Sequence, residues 1–243
     1  MLDFSQYRVL TFDCYGTLID WERGILNALR PVLDRHGVTL TDDEALEHFG
    51  ELESAAERGE YLPYREVLTV VLAGFAERFG FTLADDERLA LASSVGDWPP
   101  FPDTVAGLQA LARHYRLVIL SNVDDDLFAL SARHLKTEFA DVITAQQVGS
   151  YKPNPRNFEV ALERVGVPTE QVLHVAQSLF HDMEPANAIG LTTVWVNRRH
   201  NRPGFGATPP ASAQPDLEVP DLQTLARLVD EQHDGTGKAG DNA

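Results

Sequence analysis

A carboxylate closes the short β-prone apolar run Val9-Leu10-Thr11-Phe12-Asp13, and the glycine-containing turn Cys14-Tyr15-Gly16-Thr17 follows at once. A buried parallel strand delivers a side chain to the carboxyl edge of an α/β sheet in this way. There a carboxylate can act as a nucleophile, because it can form an ester and later release it to water. An Asp in this position can equally cap the turn after the strand. Further polar groups emerge past other apolar runs. Ser121-Asn122 follows Leu117-Val118-Ile119-Leu120, Lys152 sits between Ser150-Tyr151 and Pro153, and Gln177-Ser178 follows Leu173-His174-Val175-Ala176 with Asp182 a helical turn further on. Each alone has a plain reading as a cap, a turn residue or a solvated lysine. Their order and their shared position past apolar strands make them one signal, and the flanking prolines are expected to hold Lys152 in extended chain.

The elements that must position these groups follow from periodicity. Val9–Phe12 reads as the first strand. Glu22–His36 carries Ile25, Leu26, Leu29, Val32 and Leu33 at spacings of three and four, one face of a helix. Asp42–Arg58 and Tyr64–Phe79 repeat that spacing, and Asp85–Val95 is expected to add a fourth helix starting near Ala84-Asp85. Pro99-Pro100-Phe101-Pro102 then stops helical structure. After the break the chain alternates: helix at Thr104–His114, strand at Leu117–Ser121, helix at Asp125–His134, strand at Val142–Thr144, helix at Asn157–Val165. Strand at Val172–Ala176, helix at Asp182–Ala188 and strand at Thr192–Val196 continue it. Such alternation predicts an α/β fold, a Rossmann-like parallel sheet core with helices on both faces. The all-helical block then reads as an inserted cap. The expected organisation is a core of residues 1–19 and 99–231, a helical cap of residues 20–98, and a polar tail of residues 232–243 without structure. Residues 200–215 are expected to form an exposed loop, Leu217–Val219 an edge strand and Leu222–Glu231 a last helix.

Composition bounds the partners. The chain has 243 residues, 44% of them apolar and 23% charged, with a formal net charge of −17. That excess of negative charge, without any basic cluster, argues against nucleic-acid binding, since nothing is available to follow a phosphate backbone. A single cysteine, Cys14, excludes an intramolecular disulfide and any multi-cysteine metal site; alternation turns it away from Asp13, as a small core residue. No run approaches the roughly 18 apolar residues of a membrane span, and no secretory signal precedes the first strand. A cytoplasmic enzyme is expected, with a small anionic substrate as partner, no nucleic acid, no membrane, and a homodimer left open.

This constellation resembles the haloacid dehalogenase superfamily over most of the chain, to about Val229. The hydrophobic-Asp-x-x-Gly-Thr motif is matched by Asp13, Gly16 and Thr17, the Ser or Thr ending a strand by Ser121, and the Lys before Pro by Lys152-Pro153. The acidic loop opening a helix is matched loosely by Gln177–Asp182. A helical cap just after the first motif is also characteristic. The resemblance implies Asp13 as nucleophile, Thr17 and Ser121 as its hydrogen-bond partners or those of a substrate anion, and Lys152 as the cation that keeps it ionised. It implies Asp182 as the group that orients or activates water, and Tyr15, Asn122, Gln177 and Ser178 as substrate contacts.

Most members of the superfamily are Mg²⁺-dependent phosphotransferases with a second Asp two residues after the nucleophile. Tyr15 stands there instead, and the neutral Gln177 stands where a metal-binding carboxylate is usual. Mg²⁺ prefers anionic oxygen ligands. Tyr15 is what the L-2-haloacid dehalogenase branch carries, so the expectation is a metal-independent hydrolase without a cofactor, acting on 2-haloalkanoic acids through an aspartyl ester. The alternatives are a Mg²⁺-dependent phosphatase acting on a small phosphorylated metabolite, through Asp13, the Tyr15 carbonyl and Asp182, and, further off, a noncatalytic binding protein. The chain also departs from that branch. His48-Phe49-Gly50-Glu51 stands where the branch carries a cap arginine, leaving Arg58 or Arg65 to substitute; Phe158 replaces a tyrosine, and Gln177-Ser178-Leu179 a Ser-Ser-Asn. His181 is a further candidate pocket donor.

Overall fold

The structure, a computed structural model, describes residues 2–238. Six strands, β1 (Val9–Phe12), β2 (Arg116–Ser121), β3 (Asp141–Thr144), β4 (Val172–Ala176), β5 (Thr192–Val196) and β6 (Leu217–Val219), form one sheet in the order β3-β2-β1-β4-β5-β6. Every neighbouring pair is parallel. All residues of β1 and β4 are buried, as continuous apolar runs in a doubly covered sheet require. The chain leaves β1 for β2 and β3 on one side and returns to β4 on the other. Strand order therefore reverses beside β1, where a sheet of this class opens a crevice past its carboxyl ends.

Between β1 and β2 come the inserted helices α1 (Trp21–Arg35), α2 (Asp42–Glu57), α3 (Tyr64–Phe79) and the short α4 (Ala90–Ser94). Asp20 caps α1 by accepting from the Arg23 N–H, and α2 opens with a Thr41–Glu44 capping box. Helix α3 has no cap of its own. Asp124, at the end of the β2 turn, accepts from the Tyr64 and Arg65 N–H groups at 2.9 and 3.1 Å, so the sheet side supplies it. Gly24 on α1 faces the Trp98 ring, where a Cβ would meet it at 2.2 Å.

Past β2 the sheet is covered by α5 (Thr104–Leu111), α6 (Asp125–Leu135), α7 (Ala145–Val148), α8 (Pro155–Val165), α9 (Glu184–Ala188) and α10 (Leu222–Lys238). Four expectations need correction. The fourth inserted helix does not start at Asp85: the Glu87 carboxylate accepts from the Ala84 N–H and bonds the His36 ring, so residues 85–89 form turns before α4. Lys152 lies in a turn, with the Lys152–Pro153 peptide cis, and not in extended chain. The loop of residues 200–215 is not exposed throughout; Ala207 and Thr208 are buried, and the Ala207 carbonyl lies 2.6 Å from where a Cβ on Gly50 would be. Finally, residues 232–238 are helical. Gln232 receives the Phe4 N–H and donates to the Leu2 carbonyl, tying α10 to the N-terminal segment. The rest of the expected tail, residues 239–243, lies outside the described residues. Among the described residues no helix is long and apolar enough to cross a membrane.

Candidate active site

Strand ends and one turn bring three charges together. Lys152, 1% exposed, donates to Asp13 Oδ1 at 2.9 Å, to Asp182 Oδ1 at 2.7 Å and to the Leu120 carbonyl at 2.9 Å. All three ammonium protons are thus committed. Thr17 donates to Asp13 Oδ2 at 2.6 Å and accepts from the Gln177 N–H at 2.9 Å, which locks the β1 turn to the end of β4. Gly16 makes that turn possible. Its φ is +90°, and a side chain there would strike Trp21 Nε1 and Gln177 Oε1 at about 3 Å. Arg198 holds the turn from below by donating to the Thr17 carbonyl, itself fixed by both Asp103 oxygens and stacked on Phe101.

Two carboxylates share one cation, and they share it unequally. Burial raises the Asp182 carboxyl, but Lys152 and the His174 hydrogen bond outweigh it and bring Asp182 down to about 2. Burial also raises Asp13; Lys152 and Thr17 pull against it, while the Asp182 charge adds to the rise, so Asp13 stays above its ordinary range. Burial lowers Lys152, yet the two carboxylates more than restore it, so its charge persists.

Asp13, Tyr15, Ser121, Asn122, Lys152, Gln177, Ser178 and Asp182 all border one cavity of about 30 Å³, and Thr17 lies behind Asp13. That volume admits a water or two. Ser121 Oγ and Asp182 Oδ2 are buried there without a hydrogen-bond partner. The other sequence candidates are placed in ways their types did not announce. The Tyr15 hydroxyl bonds Ser131 Oγ at 2.9 Å on α6, so only its ring faces the cavity. Asn122 spends its amide on the Lys152 backbone, accepting from the N–H at 2.7 Å and donating to the carbonyl at 3.0 Å. Ser178 caps the turn of Leu179–Met183 by accepting from the His181 N–H. His181 borders the cavity, and burial lowers it to about 4, so it is neutral near pH 7.

The other wall comes from the inserted helices. Glu53 and Glu57, on α2, and Tyr64, on α3, face the same cavity. Tyr64 donates to Glu53 Oε1 at 2.5 Å, and Asn122 Nδ2 stands 3.5 Å from Glu57 Oε2. Burial pushes Glu53 up to about 8, and burial together with Glu53 pushes Glu57 up as well, against the pull of Lys152. Arg65 pairs with Asp126, and Arg58 borders two outer clefts of about 370 and 530 Å³, the first of which meets the cavity at Glu57 and Lys152. Neither arginine borders the cavity.

Sequence reasoning missed the two glutamates and His174. The glutamates fall at i and i+4 of a helix, which reads equally as a solvated face. His174 interrupts the apolar run of β4; its Nε2 bonds Asp182 Oδ1 at 3.0 Å and its Nδ1 meets Thr11 Oγ1 at 2.9 Å. A lone polar residue inside a fully buried strand was the available signal.

(S)-2-haloacid dehalogenase 1 of Pseudomonas sp. (strain CBS-3) is 28% identical over 229 residues, covering 91% of this chain and 98% of that protein. A glyceraldehyde 3-phosphate phosphatase of Methanothermobacter thermautotrophicus is 31% identical over 181 residues, covering 70% and 75%. A crystal structure of an L-2-haloacid dehalogenase superposes with a TM-score of 0.77 at 26% identity, covering 93% of this chain and 99% of the other. The family model for haloacid dehalogenase-like hydrolases matches residues 7–190, which span the β1 carboxylate, the inserted helices, Lys152 and Asp182. The chain belongs to the haloacid dehalogenase-like hydrolase family.

Proposed function

We propose that the protein is a hydrolase of carbon–halogen bonds that converts small 2-haloalkanoic acids to 2-hydroxy acids through an ester on Asp13, without a metal ion. One observation carries the reading: Lys152 bridges Asp13 and Asp182 beside a cavity where no general acid stands two residues after the nucleophile. An Asp13 oxygen attacks C2 from the face opposite the halogen; the C–O bond forms as the C–halogen pair departs with the halide. Halide is a stable anion, so that step needs no proton. Water then adds to the Asp13 carbonyl carbon, one of its protons leaves with the C2 oxygen, the other passes to solvent, and the carboxylate is restored. In this reading Asp182 Oδ2, which has no hydrogen-bond partner, orients that water, while His174 and Lys152 hold the other oxygen. Ser121 Oγ is free to donate to the substrate. In this reading residues 20–98 are the cap that excludes water, and residues 1–19 and 99–231 are the catalytic core.

The phosphatase among the relatives makes phosphate transfer the competing reading. The donor set does not favour it. A Mg²⁺ ion would find Asp13 and Asp182 already tied to Lys152, a tyrosine where a second Asp is usual and an amide at Gln177. Among the described residues no group of three or more His, Cys, Asp or Glu side chains is arranged to hold a metal. The test is halide release from L-2-chloropropionate with EDTA present, beside phosphate release from glyceraldehyde 3-phosphate with Mg²⁺. Halide release unaffected by EDTA supports the proposal; Mg²⁺-dependent phosphate release with no halide release overturns it.

A further inference from the structure

Strand β4 is apolar apart from His174, and that imidazole is wholly buried. A polar side chain inside a doubly covered sheet must find partners, and both ring nitrogens have one. Nε2 lies 3.0 Å from Asp182 Oδ1, and Nδ1 lies 2.9 Å from Oγ1 of Thr11, its register neighbour on β1. The Asp182 carboxylate is paired with Lys152, so Oδ1 can only accept and Nε2 carries the hydrogen of that bond. Thr11, His174 and Asp182 thus form a line of hydrogen bonds anchored in two central strands.

Asp182 itself sits on no strand. It lies in the turn of Leu179–Met183, where a carboxylate can rotate and exchange its oxygens unless one of them is held. Two donors converge on Oδ1, Lys152 Nζ at 2.7 Å and His174 Nε2 at 3.0 Å, and Oδ2 is left without a partner. The two donors differ in one respect. Lys152 also bonds Asp13 Oδ1, and Asp13 loses its negative charge when it becomes an ester. The surroundings of Lys152 therefore change between the two halves of the reaction. Those of His174 do not, because its partners are Thr11 and Asp182.

We propose that His174 is the positioning residue of the hydrolytic step, holding Asp182 Oδ1 in one place before and after Asp13 is esterified, so that Oδ2 remains the oxygen offered to water. The inference rests on the haloacid reading above and assigns one residue to one half of that reaction. His174 neither gives nor takes a proton in this role. Displacement of halide by Asp13 uses no water and no Asp182 Oδ2, so loss of His174 slows the second half alone. A purely structural role would slow both halves together, or neither.

The experiment is rapid-quench turnover of L-2-chloropropionate by the wild type, His174→Phe, His174→Gln and Thr11→Val. Chloride is counted in the first turnover and at steady state, and the Asp13 ester is weighed on the quenched protein by mass spectrometry. Phenylalanine keeps a ring against Phe158, whose centroid lies 5.3 Å from that of His174, and removes the donor. Glutamine keeps a donor for Asp182, and valine removes the hydroxyl that meets Nδ1 while suiting a buried strand. The expected result is that His174→Phe forms the ester at the wild-type rate and hydrolyses it about 10- to 100-fold more slowly, within the loss that misplacing a reacting group can cause. Ester then accumulates, His174→Gln recovers most of the rate, and Thr11→Val shows the same split at a smaller size. Should His174→Phe fail to fold, Thr11→Val carries the test. First-turnover and steady-state rates that fall together in a folded variant overturn the proposal, as do steady-state rates left unchanged. Absence of halide release from the wild type sinks the haloacid reading and this inference with it; halide release without selective slowing of ester hydrolysis sinks this inference alone.

Discussion

The two walls of the cavity handle charge in opposite ways. On the core wall, Lys152 bridges Asp13 and Asp182, so each carboxylate there has a cation. On the cap wall, Glu53 and Glu57 are carboxyls without a paired cation, so burial sets their protonation. In the proposed reaction, bonds form and break on the wall where both carboxylates have a cation.

The largest expected effect tests the core wall. Asp13→Asn removes the nucleophile and should lower halide release by about 10⁴-fold or more, measured as chloride from L-2-chloropropionate. Retained turnover in that variant would leave the core wall without its role. Lys152→Met strands two buried carboxylates, and breaking a buried pair of this kind costs about 3–5 kcal/mol; denaturant unfolding should show that loss together with loss of turnover. Asp182→Asn should slow hydrolysis of the ester by about 10²-fold while leaving the first halide burst. Burst and steady-state rates that fall together would remove Asp182 from the water step.

On the cap wall the effect is smaller and depends on pH. Glu53 keeps its proton to about pH 8 in the fold, whereas the unfolded chain loses it near 4.5. Between those values the native state binds the extra proton, so stability falls as pH rises, by at most about 1.4 kcal/mol per pH unit. Above the folded value the fall stops. Glu53→Gln keeps an acceptor for Tyr64 and should flatten the thermal midpoint between pH 5 and 8; a parallel decline in both proteins would contradict the assigned protonation. The smallest effect belongs to Tyr15→Phe. Its hydroxyl bonds Ser131 and not the cavity, so the change should cost about 1 kcal/mol of stability and leave turnover within about threefold.

The same division explains what the sequence reveals. The core wall is legible because each group follows an apolar strand: Asp13 after β1, Ser121 at the end of β2, Gln177 after β4. A strand end fixes where a side chain emerges, so order along the chain becomes position in space. The cap wall has no such rule. Glu53 and Glu57 are two acids among several on α2, and only the packing of α3 and the fold-back of Ala207 and Thr208 show which face turns inward. The roles of Asn122 and Tyr15 were obscured for a related reason. A side chain's type states what it can bond, but Lys152 backbone and Ser131 arrive from distant segments. Helix ends were misjudged where one side chain decided them, Glu87 before α4 and Gln232 within α10.

One measurement tests the aspartyl ester most directly. A single turnover is run in H₂¹⁸O with enzyme in excess of L-2-chloropropionate, and both product and peptide are weighed by mass spectrometry. Attack by Asp13 followed by hydrolysis at its carbonyl carbon puts the heavy oxygen in the Asp13 carboxylate and leaves the product hydroxyl unlabelled. Heavy oxygen in the product hydroxyl, with Asp13 unlabelled, would mean that water displaces the halide directly and that the carboxylate at the end of β1 is not the nucleophile.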